Sequence, residues 1–426
     1  MTNILEYLEK TVSWLPQKRA FWDAGEEMTF GQLYKHARAV GYHLYRRGIR
    51  REPVAVFMGR RPSAVAAMLG ALYAGCYFIP LDTEMTACRI GAILKKVRPR
   101  VILCDEKSYP VLENTPFAGC RLAFDKAAAE AVMDATLAAI RGRQVDTDPL
   151  CVLFPAGELR GVLISHRAAL DGAESLGDLL KCSSNTVFGS HALFSTDAWL
   201  REMLCTMKYG AGTCLLPKRG FLYPARLMEY MNSQQINTIL WNTANMAAVS
   251  TPNTFARVTP KFLHTVAFSG QPLTARQLAA WQEVLPKAKF WNLYGPAETA
   301  GVCCYYEVGR KPWAEEGIPL GRPFPNTGIV LLDDSGSEAL PGVVGEICIR
   351  GSRLSPGYFR DPELTAEAFV QNPLNPDTPE RLFRTGDLGR YNFRGELEFV
   401  GRKESGIRCR IDLTELQTAG RSASCL

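Results

Sequence analysis

The chain has 426 residues, 47% hydrophobic and 22% charged, proportions of an ordinary soluble globular enzyme with length for two or three domains and a large core. Its net charge of +6, from 49 basic and 43 acidic residues, is spread without a Lys/Arg run, which suits anionic ligands and argues against nucleic acid as a partner. The 13 cysteines show no repeated Cys-x-x-Cys spacing and follow no secretory leader, so reduced thiols in a cytoplasm are expected.

MTNILEYLEKTVSW opens the chain as an amphipathic helix. TFGQLYKHARAVGYHLYRRGI has helical spacing and stops at Gly48. PVAVFM reads as a buried strand, PSAVAAMLGALYAG as a helix, CYFIPLD as a strand, ACRIGAILKKVRP as a helix and RVILCD as a strand. This alternation predicts a parallel sheet covered by helices. Ala64 to Leu81 carries no charge over 18 residues, the lower limit for a membrane span. Gly70, Gly75 and Pro80 interrupt it, so a buried helix turning into a buried strand is expected, and no membrane partner. KAAAEAVMDATLAAIRGR reads as a helix or a mobile connection, ending in the polar QVDTDP.

A second alternating unit is read from LCVLF through HRAALDGAESLGDLL, TVFGSHALF, DAWLREMLCTMKYG, AGTCLLP, PARLMEYMNSQQI, NTILWN, HTVAFSG, TARQLAAWQEVLP and KFWNLYG. Ligands in such sheets bind beyond the carboxyl ends of strands. From about Leu320 the pattern becomes short strands between Gly and Asp turns: GIVLLDDSG, GEICIRG, LFRTGD, GRYNFRG and ELEFVGR. The expected fold class is α/β, with two doubly wound, mostly parallel sheets packed with helices plus a small antiparallel β-barrel. Expected divisions are 1–148, 149–319, 320–402 and 403–426. The 5 histidines form no His-x-x-x-His or Cys/His cluster, so a structural zinc site is not expected.

NLYGPAET, from Asn292 to Thr299, resembles the Asn-x-Tyr-Gly-Pro-Thr-Glu motif of the adenylate-forming superfamily. LYAGCYFIPLD, GEICIRG with SPGYFRDPELTAEAF, LFRTGDLGRY and FVGRKES match further motifs of that superfamily in order. The stretch AFSGQPLTARQLAAWQEVLPKAKFWNLYGPAET is most similar to peptide-synthetase adenylation domains and D-alanine–carrier-protein ligases. The resemblance implies that a carboxylic acid, of the amino-acid type, attacks ATP to give an acyl-adenylate. The acyl group then passes to the phosphopantetheine thiol of a carrier protein. ATP and Mg²⁺ are the implied cofactors. Two anions must meet, so positive charge and positioning carry the chemistry.

The resemblance gives each residue a role. Glu298 would hold Mg²⁺, for which a carboxylate is a suitable hard ligand; otherwise it is a solvated acid at a strand end. Tyr294 would stack on adenine, or be a core aromatic. Asn292, Gly270 and Gly295 would line the nucleotide, and Asp387 would accept from the ribose hydroxyls, or simply close a turn after Gly386. Arg402 would contact ribose or phosphate. Glu404 stands at the hinge position between large and small domains.

Three departures accompany these matches. FPAGELRG, from Phe154 to Gly161, stands where the family has a longer Ser/Thr/Gly-rich phosphate loop. Gly157 is kept, Arg160 sits at the lysine position, and Glu158 brings negative charge to the pyrophosphate end. Each lost donor would cost about 10²–10³ in rate. In the acyl-pocket segment, Phe194 is followed by Ser195 where an aspartate holds the substrate's α-amine; Trp199 follows at the pocket position. Either Asp197 takes over, or the acid lacks an α-amine; Ser195, Thr196 or Asp197 could equally be a plain helix cap. The segment GIRCRIDLTEL resembles the start of the family's small C-terminal domain, and the bridging lysine of that domain has no counterpart after Lys403. Three functions therefore stand: a weakened adenylating enzyme with Glu298 and Arg160 as catalytic residues, a non-catalytic nucleotide- or protein-binding homologue, or a half-enzyme completed by another chain.

Overall fold

The computed structural model describes residues 1–403 except 114, 116, 156 and 310–316. Among the described residues three sheets form. One has nine strands, running from Glu27–Thr29 at one edge through Arg19–Trp22, Gly212–Leu215, Val187–Ser190, Thr238–Asn242, Thr265–Ser269, Lys289–Tyr294 and Cys304–Glu307 to Arg322–Pro323. Its interior is parallel and its two ends antiparallel. The second has seven strands: Gly357–Tyr358, Val162–Ser165, Pro149–Leu153, Tyr77–Leu81, Pro53–Phe57, Val101–Cys104 and Cys120–Ala123. The third is antiparallel and has five strands, with Arg381–Tyr391 pairing with three of the others. This is the adenylate-forming architecture expected from the sequence.

Local chemistry explains the helices. Thr29 closes a capping box with Gln32 at the start of helix Phe30–Arg46, and Pro62 sits in the first turn of helix Pro62–Tyr73, where its missing N–H costs nothing. Every residue of that second helix is buried. The two helices cross at Gly41 and Gly70, where an added Cβ would stand 2.5 Å from Tyr73 and from Val40 respectively. The uncharged stretch is thus a core helix and strand, and no helix among the described residues is long and apolar enough to cross a membrane. One hydrophobic core takes residues from all three sheets, among them Phe21, Val56, Phe78, Ile347 and Phe383.

Three expectations are corrected. KAAAEAVMDATLAAIRGR forms two short helices, Phe124–Ala128 and Asp134–Arg141, because only Leu137 of the second is buried and little apolar surface holds one long helix together. LFRTGD and the first three residues of GRYNFRG lie in one 11-residue strand, Arg381–Tyr391; Gly386 takes a φ of 72° and the register shifts beside Gly389, so the strand bends without ending. LCVLF does not open the second sheet: Pro149–Leu153 runs parallel to Tyr77–Leu81 in the seven-stranded one, while Arg19–Trp22 crosses to the nine-stranded sheet.

The seam between the two large sheets is polar. Arg60, after strand Pro53–Phe57, donates to the carbonyl of Ser190 at 3.2 Å and to that of Leu216, both at strand ends of the other sheet. Lys218 reaches back to Asp82 at 3.2 Å and Glu84 at 3.0 Å. The cysteines of the described residues are all free thiols.

Candidate active site

The candidate site lies where the three sheets meet. Tyr294 ends strand Lys289–Tyr294, and its hydroxyl donates to Asp387 Oδ2 at 2.7 Å. Burial and then the Asp387 charge push the Tyr294 phenol well above its ordinary pKa, so it stays a donor. Arg402 Nε lies 2.8 Å from Asp387 Oδ1; the two residues are cross-strand partners. The backbone N–H of Asp387 donates to Thr385 Oγ1 at 3.0 Å, and the residue is 5% exposed. The geometry brings Tyr294, Asp387 and Arg402 together as the sequence expected.

Beside them Glu298 occupies a short 3₁₀ turn and is 4% exposed. Its Oε1 accepts from the Tyr358 hydroxyl at 2.8 Å and faces Arg160 Nη2 at 3.4 Å. Tyr358 is placed by strand Gly357–Tyr358, which pairs with Val162 and Leu163 directly after the short loop. Burial, then the Glu298 charge, raises the Tyr358 phenol, so it keeps its proton and remains the donor to Glu298. The Arg160 guanidinium lies 5.0 Å over the Tyr358 ring, a cation–π contact. Its Nη2 is also 2.8 Å from Glu158 Oε2, and its Nε is buried without a partner among the described residues.

The shortened loop is organised by a residue that sequence reasoning did not single out. Arg89 Nη2 donates to the carbonyls of Phe154 at 3.4 Å, Pro155 at 2.7 Å and Glu158 at 3.1 Å. Gly157 is exposed with φ 78°, a conformation that favours glycine. Tyr358 was missed in the same way. The only sequence signals for the pair are a basic residue early on a helix and an aromatic inside SPGYFRDPELTAEAF.

Other expected residues have different work. The Asn292 amide donates to the Pro319 carbonyl at 2.8 Å. At Gly295 a Cβ would stand 2.6 Å from Val302 Cα and 2.7 Å from Cys303 N, so backbone crowding demands this glycine. Gly270, φ 111°, follows strand Thr265–Ser269 and has only Thr243 Oγ1 near its Cβ position, at 3.6 Å, leaving open space beside it.

In the acyl-pocket segment Trp199 is 1% exposed, its ring 4.3 Å from that of Phe194 and 5.7 Å from that of Phe21. These aromatics pack on one another as core. Ser195 is 5% exposed. Thr196 precedes helix Asp197–Tyr209 without a side-chain cap bond and instead donates to the Leu193 carbonyl at 2.7 Å. Asp197 pairs with Arg201 at 3.3 Å, and Arg201 donates to the Gly301 carbonyl at 2.8 Å. Asp197 is therefore neutralised within the chain. Glu202, on the same helix, is fully buried, and burial raises its carboxyl to about 7.

Glu404 lies outside the described residues, as does the GIRCRIDLTEL segment. Among the described residues no group of three or more His, Cys, Asp or Glu could hold a metal ion. Mg²⁺ commonly needs only one or two protein carboxylates beside phosphate oxygens and water, and Glu298 fits that single-ligand part.

Comparison with known proteins bears on the family and the fold. Residues 8–359 match the AMP-binding enzyme family. The chain is similar to tyrocidine synthase 1 of Brevibacillus parabrevis, 25% identical over 98% of this chain and 38% of that protein. It is also similar to gramicidin S synthase 1 of Brevibacillus brevis, 25% identical over 97% of this chain and 37% of that protein. The chain thus spans well under half of these relatives. Among solved structures it superposes on IdnL1 with TM-score 0.83 and 26% identity, covering 94% of this chain and 82% of that one. The nonribosomal peptide synthetase FmoA3 gives TM-score 0.83 at 20% identity, over 94% of this chain and 42% of that one. With its motifs, its three-sheet architecture and these matches in agreement, the chain belongs to the AMP-binding enzyme family.

Proposed function

We propose that the chain binds ATP and activates a small carboxylic acid, of the amino-acid class, as its acyl-adenylate for transfer to a carrier-protein thiol. The observation that carries this reading is that strand Lys289–Tyr294 and the 3₁₀ turn after it each hold a charged cluster, Tyr294 with Asp387 and Arg402, and Glu298 with Arg160. In it Asp387 accepts from the ribose hydroxyls, while Tyr294 lies against adenine beside the open space at Gly270. Arg160 offsets charge on the phosphates, and Glu298 would hold Mg²⁺, which supplies further positive charge to the phosphates when bound. An acid's α-ammonium would compete with Arg201 for Asp197, so an acid without a free α-amine suits this pocket equally. Free cysteines suit a reducing compartment such as the cytoplasm.

A second reading, a nucleotide-binding homologue with weak or no turnover, is favoured by the Glu158–Arg160 pair, which places a carboxylate on the loop's own cation. Calorimetric titration of the full chain with ATP and Mg²⁺, with Asp387→Ala as control, tests the nucleotide site. Binding in the native chain that is lost in the control supports it; no binding in the native chain overturns it. ATP–pyrophosphate exchange across a panel of carboxylic acids then separates the readings. Exchange with any acid supports activation, and ATP binding without exchange supports the second reading.

A further inference from the structure

The short loop carries its own anion. Arg160 Nη2 is 2.8 Å from Glu158 Oε2 and 3.4 Å from Glu298 Oε1. One guanidinium thus serves two carboxylates, and the Arg89 guanidinium, held on the loop's carbonyls, adds a second positive charge near Glu158. Glu158 is not loosely placed: Arg89 holds its carbonyl together with those of Phe154 and Pro155, and Gly157 turns the chain just before it. Glu298 is fixed from the other side by the Tyr358 hydroxyl. The Nε of Arg160, buried without a partner among the described residues, is a spare donor that the arrangement leaves unused.

An entering polyphosphate must take Arg160 from Glu158 and then sit beside the Glu158 carboxylate, a like-charge arrangement that weakens binding. A monophosphate needs this end of the site far less, because its base and ribose are served by Tyr294, Asp387 and Arg402. We propose that Glu158 is a selectivity residue that closes the polyphosphate end of the site, so that the chain holds adenosine monophosphate or an acyl-adenylate in preference to ATP. This rests on the nucleotide-site reading above and goes beyond it in naming the preferred phosphate state and the residue that sets it.

The test is calorimetric titration of the full chain with AMP, ATP and inorganic pyrophosphate at one fixed Mg²⁺ and salt concentration. Native chain, Glu158→Gln, Arg160→Gln and the double variant are compared. Glu158→Ser is a second removal of the charge, and thermal unfolding checks that each variant is folded. The native chain is expected to bind AMP more tightly than ATP. Glu158→Gln is expected to tighten ATP by about tenfold or more, the scale of one charge-assisted contact, while AMP changes by less than about twofold. The gain should vanish in the double variant, because Arg160 is the group set free. An unchanged ATP-to-AMP ratio in both Glu158 variants, or a gain that survives without Arg160, overturns the proposal. If no form binds AMP or ATP, the nucleotide reading has failed and pyrophosphate decides. Binding gained in Glu158→Gln and absent in the double variant upholds the closed anion position, and no gain overturns it.

Discussion

Tyr294 and Asp387 are joined by a 2.7 Å hydrogen bond that ties the end of a nine-stranded-sheet strand to the bend of the long barrel strand. The acceptor is a buried carboxylate, so the bond is of the stronger, charge-assisted kind. Tyr294→Phe keeps the ring and removes the bond. It is expected to cost about 1.5–3 kcal/mol of stability in denaturant titrations; an unchanged midpoint would show that the junction does not depend on it.

Arg89→Ala should free the short loop, since three carbonyls lose one shared donor. Arg160 is itself a tryptic site. Limited trypsin digestion is expected to cut there about tenfold faster, as local opening becomes cheaper by about 1.4 kcal/mol. Arg89→Lys, with a point charge instead of a planar fork, should fall between the two.

Glu298→Gln removes the carboxylate proposed above to hold Mg²⁺. ATP binding by the native chain is expected to tighten as Mg²⁺ is added, and binding by the variant to lose most of that dependence. Equal Mg²⁺ dependence in both would move the metal position elsewhere.

Glu202 makes stability depend on pH. Its carboxyl is raised from 4.5 to about 7 by burial, so the folded state holds a proton that the unfolded state gives up. The resulting stability is fully present below pH 4.5 and is lost as pH rises through about 7. Glu202→Gln should remove this slope and stabilise the protein above pH 7 by roughly 3 kcal/mol. Urea titrations across that pH range check it; an identical slope in the variant would place the titration on another group.

Trp199→Ala should behave as a core truncation. The ring is 1% exposed between Phe194 and Phe21, and removing it is expected to cost about 3–5 kcal/mol. A large change in acid preference with unchanged stability would return Trp199 to the pocket wall.

Much of this was legible in the residues. Periodicity placed the helices Phe30–Arg46, Pro62–Tyr73 and His166–Leu180, because each buries an apolar face of helical spacing or, at Pro62–Tyr73, every face. The resemblance picked out Tyr294, Asp387 and Arg402, and the structure joins them by side-chain contacts. What was not legible depends on distant partners. Whether Pro149–Leu153 joins the first or second sheet is decided by what lies beside it in space, and its apolar run fits either. Asp197 read as a holder of an α-amine or as a helix cap; its pairing with Arg201 depends on a side-chain choice one helical turn away. Glu158 was visible as an unwelcome charge, but its attachment to Arg160 needed the loop's path, which Arg89 sets.

Arg60 has a consequence for how the molecule comes apart. A single half-buried side chain holds the ends of two parallel strands of one sheet while belonging to the other. Neither sheet can open there without stranding that guanidinium or the two carbonyls away from water, a penalty charged to both at once. The two sheets are therefore expected to melt together, and amide protons at Ser190 and Leu216 to exchange with the same slow opening as those of the strand that precedes Arg60.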